Sequence, residues 1–83
     1  MVEAKQMIRA FIIEEFEVNK DKLSDSKPLF DSGIIDSLGM VKLTAFIEST
    51  FKIAISPSEV TMDNFDTVDK IAGYVDKKLK KDK

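Results

Sequence analysis

Few residues in this chain can do chemistry. It has no Cys and no His, which removes Cys-His and Ser-His-Asp nucleophile systems and the usual zinc ligands. An autonomous hydrolase or redox enzyme is therefore not expected. The segment that draws attention is Gly33-Ile34-Ile35-Asp36-Ser37-Leu38-Gly39. If a helix starts at Ser37, its hydroxyl sits in the first turn, where unpaired N–H groups and the helix dipole favour an anion. No His or Lys adjoins it, so a reaction at this hydroxyl needs a base from another protein. The plain alternative is that Asp36 and Ser37 only cap the helix, a common use of both residue types. Asp31 and Asp36 lack the regular carboxylate series of a calcium loop, so loop solvation is the better reading and no metal site is predicted.

The elements that must position Ser37 follow from periodicity. Ala4, Met7, Ile8, Phe11 and Ile12 fall on one face of a first helix over residues 2–16. Residues 17–36 mix Asn, Asp, Ser, Pro and Gly with isolated apolar anchors Leu23, Leu29, Phe30, Ile34 and Ile35, which predicts a long loop pinned to the core. Gly33 supplies a tight turn or a positive φ. Asp36 is a good N-cap for a second helix from Ser37 to about Phe51. Ile53, Ile55 and a break at Pro57 follow, with one short helical turn predicted over Ser58–Thr61. Thr67 caps a last helix carrying Val68, Ile71, Ala72, Val75 and Leu79 at helical spacing. The fold class read from this pattern is all-α: a small four-helix bundle of three main helices and one short one, with a long loop between helices one and two.

The second helix has two apolar stripes. Met40, Leu43, Phe46, Ile47 and Phe51 share one side, and Leu38, Val41 and Ala45 lie nearly opposite. The first stripe holds larger and more numerous side chains, so it is assigned inward. The second is left as an exposed strip suited to a partner, rimmed by Lys42 with Ser37 and Glu48 nearby. The competing reading is that the long loop covers it with Ile34 or Ile35. Gly39 costs about 1 kcal/mol against Ala inside a helix. It either leaves room for an arm or partner or is tolerated near the helix end.

Composition bounds the rest. Eighty-three residues, 43% hydrophobic and 34% charged, make one domain, read as 1–83 with a Lys-rich tail at 77–83. That tail holds five Lys and one Asp, leaving 8 basic and 14 acidic residues before it, a net −6. Nucleic acid is not an expected partner, and basic protein surfaces are. The longest apolar run, Ala10 to Ile13, is far below the ~20 residues of a membrane span, so no stable membrane insertion is expected. With no leader pattern at the start, a cytoplasmic monomer is the expectation.

The segment around Ser37 closely resembles the signature of acyl carrier proteins, the phosphopantetheine-binding carrier family. The resemblance extends to Leu29-Phe30, Glu48, Phe51, Ile53, Ile55 and Phe65-Asp66-Thr67-Val68, and so covers most of residues 5–78. It implies that Ser37 accepts 4′-phosphopantetheine from coenzyme A and that Asp36 helps a phosphopantetheinyl transferase (holo-carrier synthase) and its Mg²⁺ engage the serine. It also implies that the arm carries acyl groups as thioesters between partner enzymes, without catalysis by the carrier. Leu38, Val41, Lys42, Ala45 and Glu48 form the implied partner surface. Carriers of fatty-acid synthesis usually have acidic residues where this chain has Gly39 and Lys42. Ser37-Leu38-Gly39 and Asn64-Phe65-Asp66-Thr67-Val68 look more like discrete carriers served by acyl- or aminoacyl-activating, adenylate-forming ligases, including D-alanyl, polyketide and nonribosomal carriers. A fatty-acid carrier is the runner-up. An unmodified helical interaction module is the reading of a different class.

Overall fold

A computed structural model describes residues 2–81; Met1 and the last two residues of the Lys-rich tail lie outside the described residues. The main elements are helices α1 (Val2–Glu15), α2 (Ser37–Phe51), α3 (Met62–Phe65) and α4 (Val68–Lys81), with 3-10 turns at Lys20–Lys22 and Pro57–Glu59. There is no strand among the described residues. Lys77, Lys78 and Lys80 of the Lys-rich tail lie within α4.

The core joins all parts of the chain. Ala4, Ile8 and Ile12 of α1 are buried with Met40, Leu43 and Ile47 of α2 and with Val68, Ile71, Ala72, Tyr74 and Val75 of α4. Leu23, Leu29 and Ile35 bring the long loop into the same core, so it is pinned as its apolar anchors predict. Its backbone is also tied down: Leu29 N–H donates to Asp66 O (2.7 Å) and Asp69 N–H to Asp25 O (3.0 Å). Arg9 of α1 donates to Asp25 Oδ1 (3.0 Å) and to Leu23 O, and Lys5 pairs with Asp69 (2.7 Å). These bonds fix the path that delivers Asp36 to the start of α2.

Helix ends follow local chemistry. α1 stops with Glu17 at φ 53°, and Val18 N–H reaches back to Ile13 O (3.1 Å), the arrangement that closes a helix with a left-handed residue. α2 ends likewise at Lys52, φ 58°. Thr67 caps α4, its Oγ1 accepting from Lys70 N–H (3.1 Å).

Three expectations are corrected. Met7 is 42% exposed rather than part of the α1 core face. Phe46 and Phe51 are half-buried at the margin of the core, not inside it. Phe46 instead stacks on Phe11 at 4.2 Å between centroids, and Phe16 meets Phe11 edge-on at 6.1 Å; rings of this size fit at an edge where neighbouring rings can cover them. The turn predicted over Ser58–Thr61 is split. Pro57 starts a 3-10 turn that Glu59 closes by accepting from Ser56 N–H (3.2 Å), and the chain restarts as α3 with Phe65 N–H bonded to Thr61 O (2.8 Å). The Ser56-Pro57-Ser58-Glu59 string is a capping-box pattern, a signal available in the sequence.

Candidate functional site

Asp36 is extended (φ −104°, ψ −169°), and its Oδ1 accepts from Gly39 N–H at 2.8 Å while its carbonyl accepts from Met40 N–H at 2.9 Å. The predicted N-cap is thus in place, and Ser37 is the first residue of α2, exposed to solvent. The N–H groups of Ser37 and Leu38 have no partner among the described residues, as expected in a first helical turn. Before them, Gly33 adopts φ 82° and donates to Phe30 O (3.0 Å), the left-handed turn that a side chain would strain.

Gly39 does not leave room for an arm. A Cβ there would lie 2.8 Å from Phe16 Cε1 and 3.2 Å from Ile35 Cγ2, so the missing side chain admits the Phe16 ring against α2. This close approach lets Phe16, the residue after α1, and Ile35 of the loop pack against the first turn of α2.

The exposed strip is present. Leu38 is 74% exposed, Val41 65%, and Ala45 is also exposed. Ile35 is buried in the core instead of covering the strip, which removes one of the two loop residues proposed to shield it. Lys42 lies 3.4 Å from Glu15 Oε2, so its charge is partly offset from α1. Glu48 differs from the rest of the implied partner surface. It is half-buried, and its Oε2 accepts from Ile55 N–H at 2.8 Å, holding the segment after α2 against the helix.

An open hollow of about 510 Å³ begins at Ser37. One side is α2 (Met40, Val41, Thr44 and Glu48), and the other is formed by Phe30, Ile55, Pro57 and Val60. The second wall is buttressed from α3 and α4. Glu59 Oε1 accepts from Tyr74 OH (2.8 Å) and lies 3.4 Å from Lys78, and Asn64 Nδ2 donates to Glu59 O (2.9 Å). The Tyr74 hydrogen bond and the Ser56 N–H hold the Glu59 carboxyl below its usual range. Burial, then Glu59, pushes the Tyr74 hydroxyl up. Sequence reasoning missed Thr44, Pro57, Val60, Glu59 and Tyr74. Only the capping-box spacing signalled any of them.

A small all-α domain that presents one exposed serine at a capped helix start, beside a mostly apolar hollow, has the form of a carrier domain. The family model described as phosphopantetheine attachment site matches residues 6–75, and the chain belongs to that family. Its covalent group is 4′-phosphopantetheine. The site suits this group: the first turn of α2 offers free N–H groups to a phosphodiester, and the hollow offers an apolar bed to the chain that follows. D-alanyl carrier proteins of Streptococcus pyogenes serotype M5 (strain Manfredo) and serotype M49 (strain NZ131) are each 48% identical over 48 residues, 58% of this chain and 61% of theirs. The matched stretch thus spans about three fifths of the length of those relatives. A chain in a crystal structure described as an FAD-dependent dehydrogenase shares the fold at TM-score 0.74 and 32% identity, over 82% of this chain and 97% of that one.

Proposed function

We propose that Ser37 carries the 4′-phosphopantetheine arm and that the protein is a discrete carrier loaded by an adenylate-forming acyl- or aminoacyl-activating ligase. The observation that carries this reading is the exposed Ser37 at the head of a helix locked by Asp36, opening onto a hollow along the same helix. A phosphopantetheinyl transferase supplies the base that takes the Ser37 proton. The Ser37 Oγ–phosphorus bond forms as the pyrophosphate of coenzyme A breaks, and adenosine 3′,5′-bisphosphate leaves. Asp36 keeps the first turn of α2 in register and presents an exposed carboxylate to the transferase and its Mg²⁺. When bound, the arm supplies a thiol that holds acyl groups as thioesters.

Leu38, Val41 and Ala45 form the docking strip for the ligase, with Lys42 at its edge. Gly39 and Lys42 stand where fatty-acid carriers usually have acidic residues, and the D-alanyl carrier relatives support a ligase-linked role with small cargo. The chain performs no catalysis of its own in this scheme. Intact mass after incubation with coenzyme A, Mg²⁺ and a broad-specificity transferase tests the reading. A gain of one phosphopantetheinyl group in the wild type and none in Ser37→Ala is expected, and a modified Ser37→Ala protein would sink the assignment.

A further inference from the structure

Ser37 and Thr44 are seven residues apart on α2, so their hydroxyls share one helical face, and both line the hollow. At 1.5 Å per residue, Thr44 stands about 10 Å along the helix from Ser37. Its hydroxyl proton goes to Val41 O at 2.9 Å. That leaves the lone pairs of Oγ1, which accept from no donor among the described residues. A hydroxyl that already donates to a carbonyl is the better acceptor for it.

The opposite wall has no donor to spare. Ile55 N–H is held by Glu48 (2.8 Å), Pro57 has no N–H, and Val60 N–H donates to Pro57 O (3.2 Å). Phe30 and Met40 add only apolar surface. Midway along its length, the hollow can therefore receive an N–H at Thr44, and an amide placed there must turn its carbonyl to water.

The arm carries two amides, and the length of the chain decides which one meets Thr44. The phosphodiester is drawn to the unpaired N–H groups of Ser37 and Leu38 at the start of α2. From the phosphorus, the first amide nitrogen is roughly six bonds away and the second roughly ten, or about 7 Å and about 11–12 Å in an extended chain. The first falls short of Thr44. The second overshoots slightly, and any bend in the arm brings it into register while drawing the first further back.

We propose that Thr44 Oγ1 accepts a hydrogen bond from the second amide of the arm, the one next to the thiol, and so holds the thiol end over the hollow between transfers. This rests on the reading of Ser37 as the attachment site. Thr44 stands outside the segments that carry the family resemblance, so the contact is proposed for this chain alone.

The test uses the full chain bearing an arm labelled with ¹⁵N at both amides. Proteolysis and mass spectrometry first locate the arm, and attachment at a residue other than Ser37 would overturn both this inference and the reading beneath it. Hydrogen exchange of the two arm amides is then followed by NMR. In the wild type the second amide should exchange about two- to tenfold more slowly than in free phosphopantetheine, the effect of one hydrogen bond, while the first exchanges at its free rate. Thr44→Val keeps the shape without the acceptor and should restore the free rate, as should Thr44→Ala. Thr44→Ser keeps the oxygen and should keep the slow exchange, which a purely structural role for the side chain would not require. A free rate for the second amide in the wild type, slowing confined to the first amide, or equal slowing in Thr44→Val would overturn the inference with attachment at Ser37 intact.

Discussion

Gly39 and Phe16 are packed so closely that a Cβ on residue 39 would stand 2.8 Å from the ring, with Ile35 close behind it at 3.2 Å. Gly39→Ala should therefore not yield the gain of about 1 kcal/mol that replacing a mid-helix glycine normally brings. Overpacking costs about 1–3 kcal/mol, so a net loss of up to about 2 kcal/mol is expected in urea denaturation. The loss should shrink in a Phe16→Leu background, where the ring edge is gone. A stabilised Gly39→Ala protein would contradict the packing described.

Asp36 combines a cap and a charge beside Ser37, and two substitutions separate them. Asp36→Ala should cost about 0.5–2 kcal/mol of stability and also slow modification of Ser37. Asp36→Asn keeps an oxygen for Gly39 N–H, so it should hold stability near wild type while slowing the Mg²⁺-dependent transfer. Equal modification rates for Asn and Asp at this position would confine the residue to capping.

On α2, Val41 and Leu43 are two residues apart and face different surroundings, 65% against 0% exposed. Val41→Asp should leave thermal stability close to wild type and reduce loading by the ligase, because the docked complex would bury an unpaired carboxylate. Leu43→Asp should unfold the domain. Lys42→Glu sets a carboxylate near Glu15, so it should lose a few tenths of a kcal/mol at low salt and favour a partner with a basic surface. Loading rates compared with melting temperatures at matched ionic strength check all three.

The Glu59–Tyr74 bond, 2.8 Å long, predicts pH dependence on both limbs. The Glu59 pKa is lower in the folded than in the unfolded chain. Its contribution is therefore present above the ordinary value of 4.5 and is lost as pH falls through the folded value. Tyr74 has the opposite sign: its raised pKa contributes fully below pH 10.0 and is lost as pH rises beyond it. Tyr74→Phe should weaken both dependences, and Glu59→Gln should remove the acid one, as read from denaturation midpoints between pH 3 and 11.

If the core is filled as described, long acyl cargo should leave the interior unchanged. Methyl shifts of Ile8, Ile47 and Ile71, all fully buried, should be nearly the same with a short and a long acyl group on the arm. Shifts that grow with chain length would show that the chain enters the core.

The amino-acid sequence by itself determined the three long helices and the place of Ser37 at the head of the second. Residues three and four apart share a helical face, and the caps at Asp36 and Thr67 act within three residues, so both signals are local. It also separated Leu43 from Val41, since a rotation of about 100° per residue puts them on different sides. Tertiary structure alone decided what Gly39 is for, because Phe16 lies 23 positions away and its ring has no trace in the motif. The same holds for the far wall of the hollow. Pro57 and Val60 line the hollow opposite α2 in a segment that Glu48 of α2 and Tyr74 of α4 anchor from different helices, and side-chain periodicity carries no record of which distant group a carboxylate will hold. The rings of Phe46 and Phe51 fell short of the interior for a related reason: the stripe gives a direction, and the volume available along it depends on what the other helices have already filled.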